Sequence, residues 1–177
     1  MLKIFVLLFC LSFGNFVVSA ELVEKKALDG AVSIKLPSNF TRMDKELIKQ
    51  KYPSEKAPKE VYTDPTGAVN FAFKYSEDKL SDADLPKFRE FMVRLIGRQY
   101  PKATWHQKDI RKINGKMGLV LELTTQAIDT DVRNLMLVIS VKGRLLVVSF
   151  NVTKELEKQW LAIGRTSIES IKISATQ

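Results

Sequence analysis

Hydrophobic and polar residues alternate in Val32-Ser33-Ile34-Lys35-Leu36, and Pro37 follows. Neighbouring side chains of a strand point to opposite faces, so this run predicts a strand with one buried side that stops at the proline. The same rule predicts a strand over residues 69–75, with Val69, Phe71, Phe73 and Tyr75 on one face and Asn70, Ala72 and Lys74 on the other. Just before it, Asp64-Pro65-Thr66-Gly67 offers a proline with preset φ and a glycine free to take positive φ. Residues 60–63 are therefore expected to pair back as the other arm of a hairpin. Asn114-Gly115 predicts a second tight turn, leading into a strand with Met117, Leu119, Leu121 and Leu123 on one face. Residues 132–141 and 144–152 are nearly continuous apolar runs rich in β-branched side chains, joined by Lys142-Gly143. Such runs belong to central strands covered on both faces.

Covering both faces of a sheet needs helices, and three stretches supply the period. Residues 44–51 read as a short helix with Asp44 as cap and Leu47-Ile48 as its buried spot, ended by Tyr52-Pro53. Leu85, Phe88, Met92, Leu95 and Ile96 recur at helical spacing, with caps in residues 81–84, Pro86 in the first turn and an end near Tyr100-Pro101. Residues 154–173 carry Leu156, Trp160, Ile163 and Ile171 close to one stripe, with Thr153 as cap. Residues 103–113 read as extended but irregular, and Asp129-Thr130-Asp131 as a turn. The sum is an α+β chain: an α/β/α sandwich with a central, mostly antiparallel sheet flanked by helices.

The first twenty residues change the picture of where the chain works. MLKIFVLLFCLSFGNFVVSA has one lysine, an apolar core and small residues at its exit, the order of a secretory signal cleaved after Ala20. The apolar stretch is too short to span a bilayer, which needs about 20 residues. Lipidation at Cys10 is disfavoured because Phe9 stands where a small residue is needed. Removing the first twenty of 177 residues leaves 157, enough for one domain, here residues 31–177 after a loosely held polar segment at 21–30. The only cysteine leaves with the signal, so no disulfide is expected. An exported protein, periplasmic or secreted and without a membrane span after cleavage, follows. The net charge of +8 is spread along the chain without a stripe, which points to solubility and weak attraction to anionic surfaces, not to nucleic acid.

Candidate chemistry adds little. His106 is the only histidine and stands beside Trp105, so a Ser-His-Asp or Cys-His device is not assembled by any local spacing. Zinc lacks its usual ligand set, and Asp129-Thr130-Asp131 lacks the length and distal carboxylate of a calcium loop. The eight glycines stand apart and form no phosphate cradle. Glu122 is the one acid within a strongly apolar segment; an exposed or edge position, or a cross-sheet pair with Arg133 or Lys142, explains it better than catalysis. The sequons at Asn39 and Asn151 are read as chance. No catalytic residue, cofactor or metal is expected.

The order VSIKLPSNF, VYTDPTGAVNFAF, LPKFREFMVRLIG, INGKMGLVLEL, RNLMLVISVKGRLLVVSFNV and WLAIGRTSIESIKI resembles the PsbP-like family, with the Ran-binding Mog protein, over almost all of the chain beyond the signal. That resemblance implies an α/β/α sandwich around an antiparallel sheet and a non-enzymatic binding or accessory role. The expected function is docking on a cell-envelope protein or an anionic surface. Its candidate surface is the basic, proline-punctuated loop of residues 51–59, through Lys51, Tyr52, Lys56, Lys59 and the nearby Tyr62. The alternative is a carrier with an apolar ligand between helix and sheet, against Phe71, Phe73 and Phe88. A hydrolase using Glu122 or His106 is the least favoured reading.

Overall fold

The computed structural model describes residues 21–53, 57–127 and 129–174; the expected leader and Lys56 lie outside them. In chain order the elements are β1 (Leu22–Ala27), β2 (Val32–Pro37), β3 (Thr41–Arg42), α1 (Lys45–Lys51), β4 (Glu60–Thr63) and β5 (Asn70–Lys79). A 3-10 turn then leads into α2 (Leu85–Gln99), followed by β6 (Thr104–Ile113), β7 (Lys116–Gln126), β8 (Asp131–Val141), β9 (Arg144–Thr153), α3 (Lys154–Glu169) and β10 (Lys172–Ile173). Seven strands form one sheet in the order β3-β4-β5-β9-β8-β7-β6, and β1-β2-β10 form a second. Among the described residues every pairing is antiparallel.

Alternation along the central strands sorts their side chains into two layers. Leu135, Leu137 and Ile139 of β8 and Leu146, Val148 and Phe150 of β9 join Phe71 and Phe73 of β5 on one face. There they meet Val32, Ile34 and Leu36 of the small sheet and Ile168 of α3. On the opposite face, Leu119, Leu121, Leu123, Val138 and the half-buried Val147 pack against Leu85 and Ile96 of α2. Ala72 pairs with Ser149, which lies on the Val147 side of β9, and Ala72 packs with Val61 and Ile48 of α1. Thus α1 and α2 share one face of the large sheet, while α3 and the small sheet cover the other. The continuous apolar runs of β8 and β9 are explained by this double burial.

The hairpin turn before β5 is held by one carboxylate. Asp64 is buried and accepts from the Thr66 amide at 3.2 Å, the Thr66 hydroxyl at 2.5 Å and the Val69 amide at 2.9 Å. Burial alone would raise its pKa, but these bonds outweigh it and hold the group below the ordinary carboxylate range. A depressed folded pKa contributes stability that is present above the unfolded value, near 3.8, and is lost as pH falls through the folded one. Asp64→Asn should therefore cost about 1–2 kcal/mol at neutral pH. The gap to wild type should close in urea titrations carried below about pH 4.

Four expectations are corrected. Residues 21–30 are not loose: β1 pairs along all of its length with β2, from Leu22 opposite Pro37 to Ala27 opposite Val32. Its Glu24-Lys25-Lys26 run hides the alternation because β1 is an edge strand, where charged side chains are tolerated. Residues 104–113 form a regular strand with one bulge between Trp105 and Gln107, not an irregular stretch. The last helix ends at Glu169, so Ile171 belongs to the core outside the helix, just before β10 adds to β2. Leu47 and Leu95, expected to be buried on α1 and α2, are exposed. Each sits one position from a buried isoleucine, Ile48 or Ile96, and a narrow contact with the sheet accommodates only one of the two.

Candidate functional site

The turn joining β1 to β2 carries unusual backbone. Leu28 and Asp29 adopt φ of 53° and 54°, followed by Gly30 at 86°. Aspartate and glycine enter this left-handed region readily, but for leucine it costs on the order of 1 kcal/mol. The surroundings hold it there: the Leu28 amide donates to Glu60 Oε2 at 2.9 Å, and the Leu28 side chain packs against the core. Glu60 is itself buried, with Arg42 Nη2 2.6 Å from Oε1 in an ion contact that is not a well-aligned hydrogen bond.

This turn forms one wall of a groove of about 590 Å³. Tyr75 of β5 and Lys142 of the β8–β9 turn also line it, and Lys26 and Lys59 bring two further ammonium groups from β1 and the start of β4. The Tyr75 hydroxyl donates to the Val141 carbonyl at 3.1 Å, fixing the ring. Arg144 lies over that ring at 4.6 Å and Lys59 at 5.9 Å, both within cation–π range. Arg144 is also paired with Glu77. Among the described residues, Lys26, Lys59 and Lys142 take part in no ion pair. An adjoining cleft of about 290 Å³, lined by Arg42, Lys45 and Glu60, shares Leu28, Asp29 and Lys59 with the groove.

The residues singled out in the sequence do not form one surface. Lys59 lines the groove. Lys51 lies at the end of α1, where its ammonium donates to the Gly67 carbonyl. Tyr52 turns inward onto Met43, Ile48, Val61 and Ala72, and burial pushes its phenol pKa up. Tyr62 is 6% exposed; its hydroxyl donates to the Lys26 carbonyl at 2.7 Å and accepts from Arg42 at 3.3 Å, so it ties the small sheet to the large one. Lys56 lies outside the described residues. Sequence reasoning missed Lys26, Tyr75 and Lys142; the signal that pointed to the last was the Lys142-Gly143 turn itself. The apolar cleft against Phe71, Phe73 and Phe88 is not formed: the first two face α3 and the small sheet, and Phe88 lies under α2 on the other side of the strands.

Glu122 and His106 resolve differently from a catalytic pair. Glu122 is 2% exposed and faces α3, where Arg165 binds it in a bidentate fork, Nε to Oε2 at 3.1 Å and Nη2 to Oε1 at 2.6 Å. Arg133 adds a bond at 3.3 Å to Oε1 and reaches Glu157 at 2.6 Å. With both oxygens engaged by guanidinium groups, Glu122 is poorly placed to accept a substrate proton. The fork holds Arg165 above its ordinary pKa. His106 is exposed on edge strand β6 with Nε2 2.9 Å from the Thr124 hydroxyl. Partial desolvation and the charge of Arg133 push its imidazole below the usual value, against the opposing pull of Glu122 and Glu157.

No family model matches the chain, and no curated protein matches it in sequence. Solved structures match it in fold. The solution structure of cyanobacterial PsbP (CyanoP) from Synechocystis sp. PCC 6803 is similar with a TM-score of 0.63 at 16% identity, over 93% of this chain and 99% of that one. The crystal structure of LpqN, involved in cell envelope biogenesis of Mycobacterium tuberculosis, is similar with a TM-score of 0.55 at 12% identity, over 87% and 91%. The fold is PsbP-like, in agreement with the resemblance drawn from the sequence.

Proposed function

We propose that this protein is an exported, non-enzymatic accessory protein that holds an acidic segment of a cell-envelope protein in the groove beside the β1–β2 turn. One observation carries the reading: Lys26, Lys59 and Lys142 line one groove from three separate elements, against one acid, Asp29, with Lys59 over the Tyr75 ring and none of the three lysines in an ion pair among the described residues. Cations around an open cleft favour an anionic occupant and steer its approach. Strained backbone in the wall at Leu28 fits a recognition site, since such strain persists where a particular shape is required. A likeness in fold to a protein of cell envelope biogenesis is consistent with the same compartment.

Co-purification from the native envelope tests the proposal. A partner retained by wild type should be lost when Lys59→Glu and Lys142→Glu are combined, and its capture should weaken with added salt. Retention of the same partner by the double variant would remove the groove from the interaction. A tightly retained small molecule in native mass spectra would replace the protein partner with a carried ligand.

A further inference from the structure

Among the described residues, four large hydrophobic side chains are exposed: Leu47, Phe91, Leu95 and Tyr100. All four belong to α1 and α2 or cap α2, the two helices on one face of the large sheet. The opposite layer of α3 and the small sheet has none among the described residues. On α2, Lys87, Phe91, Leu95 and Arg98 follow one another at steps of four, four and three residues, so they line one stripe. The Phe91 ring is braced on Phe88 at 6.0 Å, which keeps it projecting from the helix.

The same helix carries Lys87, Arg89, Arg94 and Arg98 against one acid, Glu90. Among the described residues, Lys87, Arg94 and Arg98 enter no ion pair. Apolar side chains bordered by unpaired cations suit the boundary between anionic headgroups and acyl chains. Breadth points the same way. Helix α1 packs on β4 and β5 while α2 packs on β6 and β7. From β5 to β7 is three strand spacings, about 14 Å, so an occupant touching Leu47 and Phe91 together must be broad.

We propose that the α1–α2 face rests on an anionic phospholipid surface. Leu47, Phe91 and Leu95 enter the headgroup layer, and Lys87, Arg94 and Arg98 lie against its phosphates. None of these residues lines the groove, so the two surfaces can act together, one on lipid and one on a protein. Among the described residues no helix is long and apolar enough to cross a membrane, and this contact requires none.

Protein recovered from the envelope fraction of its host can be sedimented with vesicles of phosphatidylcholine alone or mixed with phosphatidylglycerol. Wild type should bind the mixed vesicles and not the uncharged ones. Combined Phe91→Ser and Leu95→Ser, or combined Arg94→Glu and Arg98→Glu, should each weaken binding by about tenfold or more. Lys59→Glu with Lys142→Glu should bind vesicles as wild type does, separating this proposal from the groove. All changed side chains of the Phe91 and Leu95 pair are exposed, and melting curves verify that each variant is folded. Equal binding by wild type and the serine variant, or equal binding to charged and uncharged vesicles, would overturn the proposal. So would a wild-type dimer that the serine variant converts to monomer without any vesicle binding, because the face would then cover a second copy of the chain.

Discussion

Glu122→Ala should lower stability by about 3 kcal/mol, because it removes the buried carboxylate that Arg133 and Arg165 share and leaves their two charges with less compensation. The Arg133 side chain is only 13% exposed, its Nε has no partner, and loss of Glu122 leaves it Glu157 alone. Near 150 residues this corresponds to a fall in Tm of about 6–12 °C, measurable by calorimetry. Arg165 is 52% exposed, but Arg165→Ala leaves the buried Glu122 Oε2 without its bond from Nε and should cost about 1–3 kcal/mol. If burial of an under-compensated charge is the cause, Glu122→Leu combined with Arg133→Met should regain most of the loss. A double variant no more stable than Glu122→Ala would show that the network matters for shape and not for charge balance.

Two glycines should respond with opposite signs to the same added methyl group. Gly164 lies on α3 directly above Phe150, and a Cβ there would stand 2.4, 2.6 and 2.8 Å from three atoms of its ring. That ring is fully buried and packed against Phe71 at 4.9 Å, so it has little room to retreat. Alanine gains about 1 kcal/mol over glycine from helix propensity, and overpacking costs about 1–3 kcal/mol. Gly164→Ala should therefore destabilise by up to about 2 kcal/mol, with the Phe150 ring resonances displaced in NMR spectra. Gly97 on α2 has nothing within 4 Å of the same position. Gly97→Ala should stabilise by about 0.5–1 kcal/mol. Denaturant midpoints measure both, and a stabilised Gly164→Ala would mean that α3 can lift from the sheet at little cost.

Features governed by neighbouring residues were legible before the fold was known. Asn114 and Gly115 adopt φ of 45° and 87°, as that turn dipeptide predicts, and Lys142-Gly143 joins its two strands with φ of 52° and 73°. Asp44 caps α1 through the Glu46 amide at 2.8 Å, again a contact across two residues. The candidate surface was less legible. Proline-rich, basic residues 51–59 drew notice as a unit, yet Tyr52 and Tyr62 turn inward while Lys59 points into a groove whose other walls arrive from β1, β5 and the β8–β9 turn. A tyrosine in a strand can be a surface contact or a core tie. Only the carbonyl of Lys26, 36 residues away, decides for Tyr62.

The amino-acid order by itself determined the strands with a clear two-residue period, the tight turns and the amphipathic stripe of α2, because each depends on residues within a few positions of one another. Tertiary structure alone made β1 a strand, gave Glu122 its partner Arg165 from 43 residues away, and brought Lys26, Lys59 and Lys142 to the groove that Tyr75 also lines. Those outcomes follow from which strands lie side by side. The sheet order β3-β4-β5-β9-β8-β7-β6 is set by the joint burial of both faces of the whole chain, a quantity that no local period contains.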